Sequence, residues 1–179
     1  NSYASINAFT KQVTNFIVQE SVRQTINGVI DPSTGQPALF TVTTSVNGPA
    51  ANVYGAEFAV QHLFDDSGFG FQANATLVGT DTPYNPHNLA VSGFAVTGLA
   101  DSANIVAFYD KARFQARLAL NWRDQYLDHF GQLQNNSRFG TEPTFVNTAL
   151  QLDFSTSFAI TPRFDVYFSA LNLTDATFS

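Results

Sequence analysis

Polar and apolar residues alternate along most of this chain. In the stretch FGFQANATLVGT, residues 69–80, apolar side chains occupy the odd positions as far as Leu77, while Gln72, Asn74 and Thr76 occupy even positions. This period of two predicts a β-strand with one apolar and one polar face. A soluble antiparallel sheet turns such an apolar face into a protein core, whereas a membrane barrel turns it towards lipid. The alternation alone is compatible with either environment.

Alternation of this kind recurs in about seven segments, and helical periodicity is almost absent. The clearest segment places Phe114, Leu118 and Trp122 on one face and polar residues on most of the other. In the last segment the alternation is lost near Leu171 and Leu173, which predicts a β-bulge. The sequence therefore predicts an all-β fold of antiparallel strands. The segments cover approximately residues 1–19, 53–64, 69–80, 96–109, 114–123, 150–160 and 164–170.

The connections between these segments alternate between short and long. Tight turns are predicted within DDSGFG, YDKAR and ITPR. Long connections are predicted at about residues 20–50, 80–95 and 127–145, which are rich in Gly, Pro, Asn and Thr. Short turns at one end and long loops at the other are typical of an outer-membrane β-barrel.

The aromatic and charged contents favour the same interpretation. The chain has 18 Phe, 6 Tyr and 1 Trp, and only 12% of its residues are charged, about half the usual quarter. Many rings lie close to the predicted short turns, and Trp122 and Tyr126 lie at the far end of their strand, as expected for two aromatic belts at membrane interfaces. The combination predicts that the apolar face contacts lipid. A secreted, soluble β-sandwich is the alternative.

Charge and chemistry exclude several classes of function. The net charge is −6, and because phosphate binding requires clustered Lys and Arg, no nucleic-acid partner is expected. The chain has no Cys, which excludes disulfides and thiolate chemistry. His62, His87 and His129 are widely spaced and do not form a metal-ligand pattern. No catalytic residue, metal or cofactor is therefore predicted, and an enzyme is not expected.

Two long blocks resemble the C-terminal barrel of TonB-dependent outer-membrane receptors. They are ARLALNWRDQYL and LDFSTSFAITPRFDVYFSALNLTD, and the earlier VYGAEFAVQHLF and INAFTKQVTNFI are similar to the strands that precede them in that family. The resemblance implies an antiparallel transmembrane β-barrel of 22 strands. Residues 1–179 would then be a single partial domain of about seven strands, without the plug, the TonB box or the final strand.

The same resemblance implies a transporter of the Gram-negative outer membrane. Such a receptor imports a scarce, bulky nutrient, of the oligosaccharide or siderophore–iron class, with energy supplied through the TonB complex. The expected partners are the TonB complex (through the absent N-terminal region), the nutrient ligand, outer-membrane lipid and a surface lipoprotein or other protein. The alternatives are a passive outer-membrane porin and a soluble β-sandwich binding module.

Candidate ligand contacts lie in the long connections and at the rim beside them. Aromatic rings can stack on sugars or aromatic chelators, and amide, imidazole and guanidinium groups can hydrogen-bond to them. The candidates are Tyr84, His87, Arg123, Tyr126, His129, Phe130, Asn135 and Asn136.

Overall fold

The structure, a computed structural model, describes residues 1–87, 95–133 and 141–177, and this part of the chain is built from eleven β-strands and one short 3-10 turn at Asp65–Ser67. No helix in these ranges is long and apolar enough to cross a membrane. The strands are β1 (Ser2–Val13), β2 (Ile17–Ile30), β3 (Pro37–Asn47), β4 (Ala51–Leu63), β5 (Phe69–Thr80), β6 (Ser102–Lys111), β7 (Phe114–Arg123), β8 (Tyr126–Leu133), β9 (Thr141–Val146), β10 (Ala149–Thr161) and β11 (Phe164–Ala170).

Seven strands form one antiparallel sheet in the order β1-β4-β5-β6-β7-β10-β11. They correspond to the seven alternating segments, so the predicted all-β, antiparallel fold is confirmed. Two predicted boundaries are wrong. The first segment is predicted to run to about residue 19, but β1 ends at Val13 and Ile17 already begins β2. The other is the start of β6, which lies at Ser102 and not near Val96. Gly98 has a φ of +78°, outside the range of a strand, and the Asp101 carboxylate accepts a hydrogen bond from the Val78 N–H at 2.8 Å. The chain therefore enters the sheet only after Asp101.

The register of the sheet sorts the residues into one apolar and one polar face. Ile6 lies opposite Phe58, and the same apolar row continues across the sheet through Ala75, Ala103, Trp122 and Leu150. The adjacent row, on the other face, runs from Asn7 through Glu57, Thr76, Ser102 and Arg123. Because every strand keeps the same phase, the alternation in the sequence becomes two continuous surfaces.

The apolar face of this sheet is the more exposed of the two. Ile6 is 73% exposed and Leu118 is 43% exposed, whereas Ala119 on the polar face is only 3% exposed. No large side chain in the described ranges is fully buried, and the extensive contacts between strands all join hydrogen-bonded neighbours. Within these ranges, therefore, no second layer covers the apolar face.

The sheet is open in the described part of the chain. Strand β1 pairs only with β4, and β11 pairs only with β10, so each has one unpaired edge. Closure into a transmembrane barrel stays a prediction.

The predicted long connections at 20–50 and 127–145 are wrong in part, because they contain paired strands. Ribbon β2–β3 keeps the register of β1–β4: Val13 lies opposite Ala51, and four residues further along each strand Ile17 lies opposite Asn47. Ribbon β8–β9 extends β7–β10 in the same way, after a gap of two residues on each side. Each ribbon thus continues a pair of sheet strands beyond the sheet: β2–β3 continues β1–β4, and β8–β9 continues β7–β10.

The opposite end of the sheet carries the predicted short turns. They lie at residues 64–68, 112–113 and 162–163, and we call this end the turn end and the other the loop end. The predicted irregularity after β11 is also present. Asn172 has a φ of +55°, its N–H donates to the Asp153 carboxylate, and the Leu173 N–H returns to the Leu152 carbonyl. The Asp153 carboxylate thus accepts the Asn172 N–H in place of a backbone carbonyl.

Gly55 provides a test of this packing. Phe9 lies opposite Gly55, and a Cβ added there would lie 2.3 Å from the Leu77 carbonyl oxygen and 2.6 Å from the Phe9 ring. We expect Gly55→Ala to lower the free energy of unfolding by about 1–3 kcal/mol, as overpacking does. Unfolding of the purified protein in urea would measure the change.

Gly131→Ala is the matched control, because its added Cβ would come no closer than 3.4 Å to the Glu142 carbonyl oxygen. Alanine suits a strand better than glycine, so this variant should be at least as stable as the unmodified protein. Equal stability of the two variants would contradict the contact described for Gly55.

Candidate ligand-binding site

The connections at the loop end are joined to one another by backbone hydrogen bonds. The Asp124 N–H donates to the Asp101 carbonyl at 2.9 Å, and the Gly98 N–H donates to the Leu127 carbonyl at 2.8 Å. The segment before β6 is thereby held against the start of ribbon β8–β9. Residues far apart in the sequence consequently share one surface.

Three rings form an aromatic cluster on this surface. Tyr84 lies 5.7 Å from Phe145, edge to face, and 6.1 Å from Phe130, measured between ring centroids. The structure thus brings together the predicted residues Tyr84 and Phe130. Phe145, on β9, was not among the candidates. The sequence distinguishes Phe145 only as an aromatic residue at the end of a polar connection.

Arg123 and Tyr126 form a second contact at the rim. The guanidinium carbon of Arg123 lies 4.9 Å from the centroid of the Tyr126 ring, within the range of a cation–π interaction. Both residues were predicted, and both are partly exposed. Arg123 is the last residue of β7 and Tyr126 is the first residue of β8, with Asp124 and Gln125 between the two strands.

His129 and Phe130 line a cleft of about 410 Å³ between the bases of the two ribbons. Apart from Thr97 and Asp128, its other lining residues are apolar, and two of these, Val18 and Ala95, are buried. The Asp128 carboxylate lies 2.9 Å from Nδ1 of His129 and lines the cleft as well. The cleft can therefore hold an apolar or aromatic group, with hydrogen-bonding side chains at its wall.

A carboxylate clamp fixes the start of the 81–87 segment. Asp81 accepts hydrogen bonds from the Asn52 backbone N–H at 2.8 Å, from the Asn52 side-chain amide at 2.7 Å and from the Thr82 hydroxyl at 2.9 Å. These bonds, led by the one from the Asn52 backbone, hold the pKa of Asp81 below its ordinary value. The clamp ties the segment that carries Tyr84 to the start of β4.

A second network joins the two turns at the bases of β8 and β9. The Thr148 hydroxyl donates to the Asp124 carboxylate at 3.0 Å, which also accepts the Gln125 N–H at 2.8 Å. Asp124 and Thr148 are separated by 24 residues. The pairing follows only from the register of β7 with β10, and no local pattern indicates it.

The remaining candidates are not brought into these clusters. His87 lies on an exposed turn, where its backbone N–H donates to the Asn85 side chain at 2.9 Å. Asn135 and Asn136 lie outside the described residues. Within the described ranges, no three His, Asp or Glu side chains are grouped so that they could hold a metal ion. The arrangement suits binding through ring stacking and hydrogen bonds.

A comparison of the chain with models of known protein families, with curated protein sequences and with solved structures finds no match. The resemblance of its sequence blocks to TonB-dependent receptors thus stays a prediction.

The Asp81 clamp should make stability depend on pH in one direction. Because the folded-state pKa is lowered from 3.8, the clamp stabilises the fold above that pH, and this contribution is lost as the pH falls below it. We expect the unmodified protein to be more stable than Asp81→Asn from pH 8 to about pH 5. The difference should shrink below about pH 4.

Chemical unfolding of both proteins across this pH range would measure the effect. Asp128→Asn is a suitable control, because Asp128 accepts no backbone N–H among its described contacts. A difference between the unmodified protein and Asp81→Asn that persists unchanged at pH 3 would contradict the clamp.

Proposed function

We propose that this chain is a segment of a TonB-dependent receptor of the Gram-negative outer membrane, whose strands cross the bilayer and whose loop end binds a nutrient. The observation that carries the proposal is the continuous, exposed apolar face of the seven-stranded sheet. The resemblance of the sequence blocks to that receptor family supports the more specific identification.

The apolar face is too large to be left in water. Large apolar side chains that are at least 36% exposed lie on this face in every strand of the sheet, whereas the surfaces of soluble monomers rarely carry apolar patches beyond about 300–600 Å². Contact with lipid removes this surface from water without a second protein layer. On this face, the exposed residues are Ile6, Tyr54, Phe58, Val60, Phe69, Leu77, Ile105, Phe114, Leu118, Leu150, Phe158, Ile160, Phe164, Val166 and Phe168.

Strand lengths support a membrane-crossing sheet. Strands β6 and β7 have 10 residues each, and β4, β5 and β10 have 12 or 13. A strand tilted by about 45° needs about 9–11 residues to cross the hydrocarbon layer. Each of these five strands is therefore long enough for one crossing.

The polar face has the character of a wet lumen or of a surface that packs against a plug. Gln61 pairs in register with Gln72, and Asn74 pairs with Asn104. The Asn104 side-chain amide donates to the side chain of Asn121 on the next strand. Such an amide ladder would be unfavourable in lipid and is well placed in a polar interior.

In this proposal the clusters at the loop end bind the ligand from outside the cell. Tyr84 and Phe130 would stack on rings of the nutrient, and Arg123 and His129 would hydrogen-bond to its polar groups. The carboxylate clamp and the Asp124 network would hold these groups in place before the ligand arrives, so that little conformational entropy would be lost on binding. Energy from the TonB complex would then release the ligand into the barrel.

Opposite effects of charge on the two faces would test the membrane proposal. Leu118 lies on the apolar face near the middle of β7, and Gln72 lies on the polar face in the neighbouring row. Arg on a lipid-facing site at the bilayer midplane costs about 2–4 kcal/mol, whereas Arg in the lumen is tolerated. We expect Leu118→Arg to depress assembly of the full-length protein, and Gln72→Arg to assemble normally.

The measurement is heat-modifiable electrophoretic mobility of outer-membrane fractions. Gln72 is a better control than Ala119, because Ala119 is only 3% exposed and an Arg there would fail for reasons of packing. If Leu118→Arg assembled as well as Gln72→Arg, the apolar face would not contact lipid.

Coupling to TonB separates an active receptor from a passive porin. We expect the purified periplasmic domain of TonB to bind the full-length protein in detergent, as measured by calorimetry. A general porin in the same detergent is the control. A properly assembled full-length protein that did not bind TonB would favour the passive porin.

A further inference from the structure

A groove of about 630 Å³ lies at the turn end of the sheet and opens on the apolar face. Its floor is formed by Ala107 and Ala116, on neighbouring strands β6 and β7. Large side chains border it on both sides. We call it the inner groove, and its lining on the apolar face comprises Phe64, Phe69, Phe71, Ala107, Tyr109, Ala116, Leu118 and Phe154.

The register explains why a recess forms here. Ala107 lies between Phe71 and Leu118 in one row, and Ala116 follows Phe69 and Tyr109 in the next. The two alanines are diagonal neighbours, so the small residues adjoin while rings stand around them. The Phe69 and Tyr109 rings lie 4.7 Å apart and fix one wall.

A cation lies at the end of the inner groove, on the same face. Lys111 pairs with Phe114, which pairs with Phe158, so its position belongs to an apolar row. Its Nζ donates to the Asp66 carbonyl. An added Cβ on Gly68 would lie 2.7 Å from Lys111 Cβ, so only a glycine lets the β4–β5 turn lie this close to the lysine.

A second cation, Arg113, lies two residues further on, in the β6–β7 turn, where its guanidinium donates to the Ile160 carbonyl at 3.4 Å. The neighbouring carboxylate of Asp110 is on the polar face, where it accepts the Gln115 amide. The Asp65 carboxylate lies 3.8 Å from the Asn1 amino group and Asp66 lies in the same turn, so the cations are not isolated from acidic groups. Neither cation donates to a carboxylate among the described contacts.

We propose that the inner groove binds one acyl chain of a glycerophospholipid, whose phosphate is bound by Lys111 and Arg113. The proposal rests on the membrane location proposed above. An apolar recess that ends in cationic side chains matches an acyl chain joined to a phosphate, in both charge and polarity. Lys111 lies four residues from Ala107, less than half of a crossing of about 9–11 residues, so headgroup and chain fit within one leaflet.

Retention of lipid by the purified full-length protein tests the proposal. The protein would be reconstituted into nanodiscs of phosphatidylglycerol, extracted in mild detergent and examined by native mass spectrometry. We expect one phospholipid molecule to stay bound. Lys111→Gln should lower the bound fraction about fivefold, the effect of losing one cation near a lipid surface. Ala107→Leu, which fills the floor, should lower it at least as much.

Two matched variants control for general effects of the substitutions. Arg163→Gln removes a cation from another turn at the same end, and Ala73→Leu enlarges an alanine of the apolar face outside the inner groove. Both should retain lipid as the unmodified protein does. Retention of detergent only, of a second copy of the chain, or of equal lipid by all variants would overturn the proposal.

Heat-modifiable mobility separates failure of this inference from failure of the proposed function. Normal assembly with unchanged lipid retention in Lys111→Gln and Ala107→Leu would overturn the lipid site alone. If the unmodified protein did not enter the membrane, both proposals would fall together.

Discussion

The ladder of backbone hydrogen bonds between neighbouring strands is the interaction on which this structure depends. With no fully buried large side chain in the described ranges, side-chain packing contributes little to holding the strands together. Each inner strand is instead fixed by its two neighbours, in registers that run unbroken over eight to twelve residue pairs for most of the sheet. In the bilayer proposed as its surroundings, no water would compete for these backbone groups.

The ladder of backbone hydrogen bonds also determines which residues meet at the loop end. Because the register of β7–β10 carries past the sheet into ribbon β8–β9, it places Asp124 beside Thr148 without any local signal. The contacts made by side chains there are few but specific: a carboxylate clamp, a cation over a ring and a small aromatic cluster. A backbone frame thus positions the candidate binding surface, which is built from individually weak interactions.

The sequence was sufficient to predict the strands of the sheet and their faces, because alternation is a local property. The ribbons were missed because segments such as TVTTSV carry β-branched residues on both faces, which weakens the period-two signal. Proximity of Tyr84, Phe130 and Arg123 to the loop end could be predicted from loop length. The contact of Tyr84 with Phe145 and that of Asp81 with Asn52 could not, since each joins segments that are distant in the sequence.

The shared register of ribbon and sheet has a kinetic consequence. Closing the 37-residue connection between β1 and β4 as a flexible chain would cost entropy before any pair of the sheet formed. When β2 and β3 pair first, they bring Phe16 and Gly48 within hydrogen-bond distance, and β1–β4 can zip as the same hairpin. Each step then closes a short loop, so strands distant in sequence fold as if they were local. Lengthening a ribbon at its tip would accordingly alter the surface of the molecule while leaving the assembly of the sheet almost unchanged.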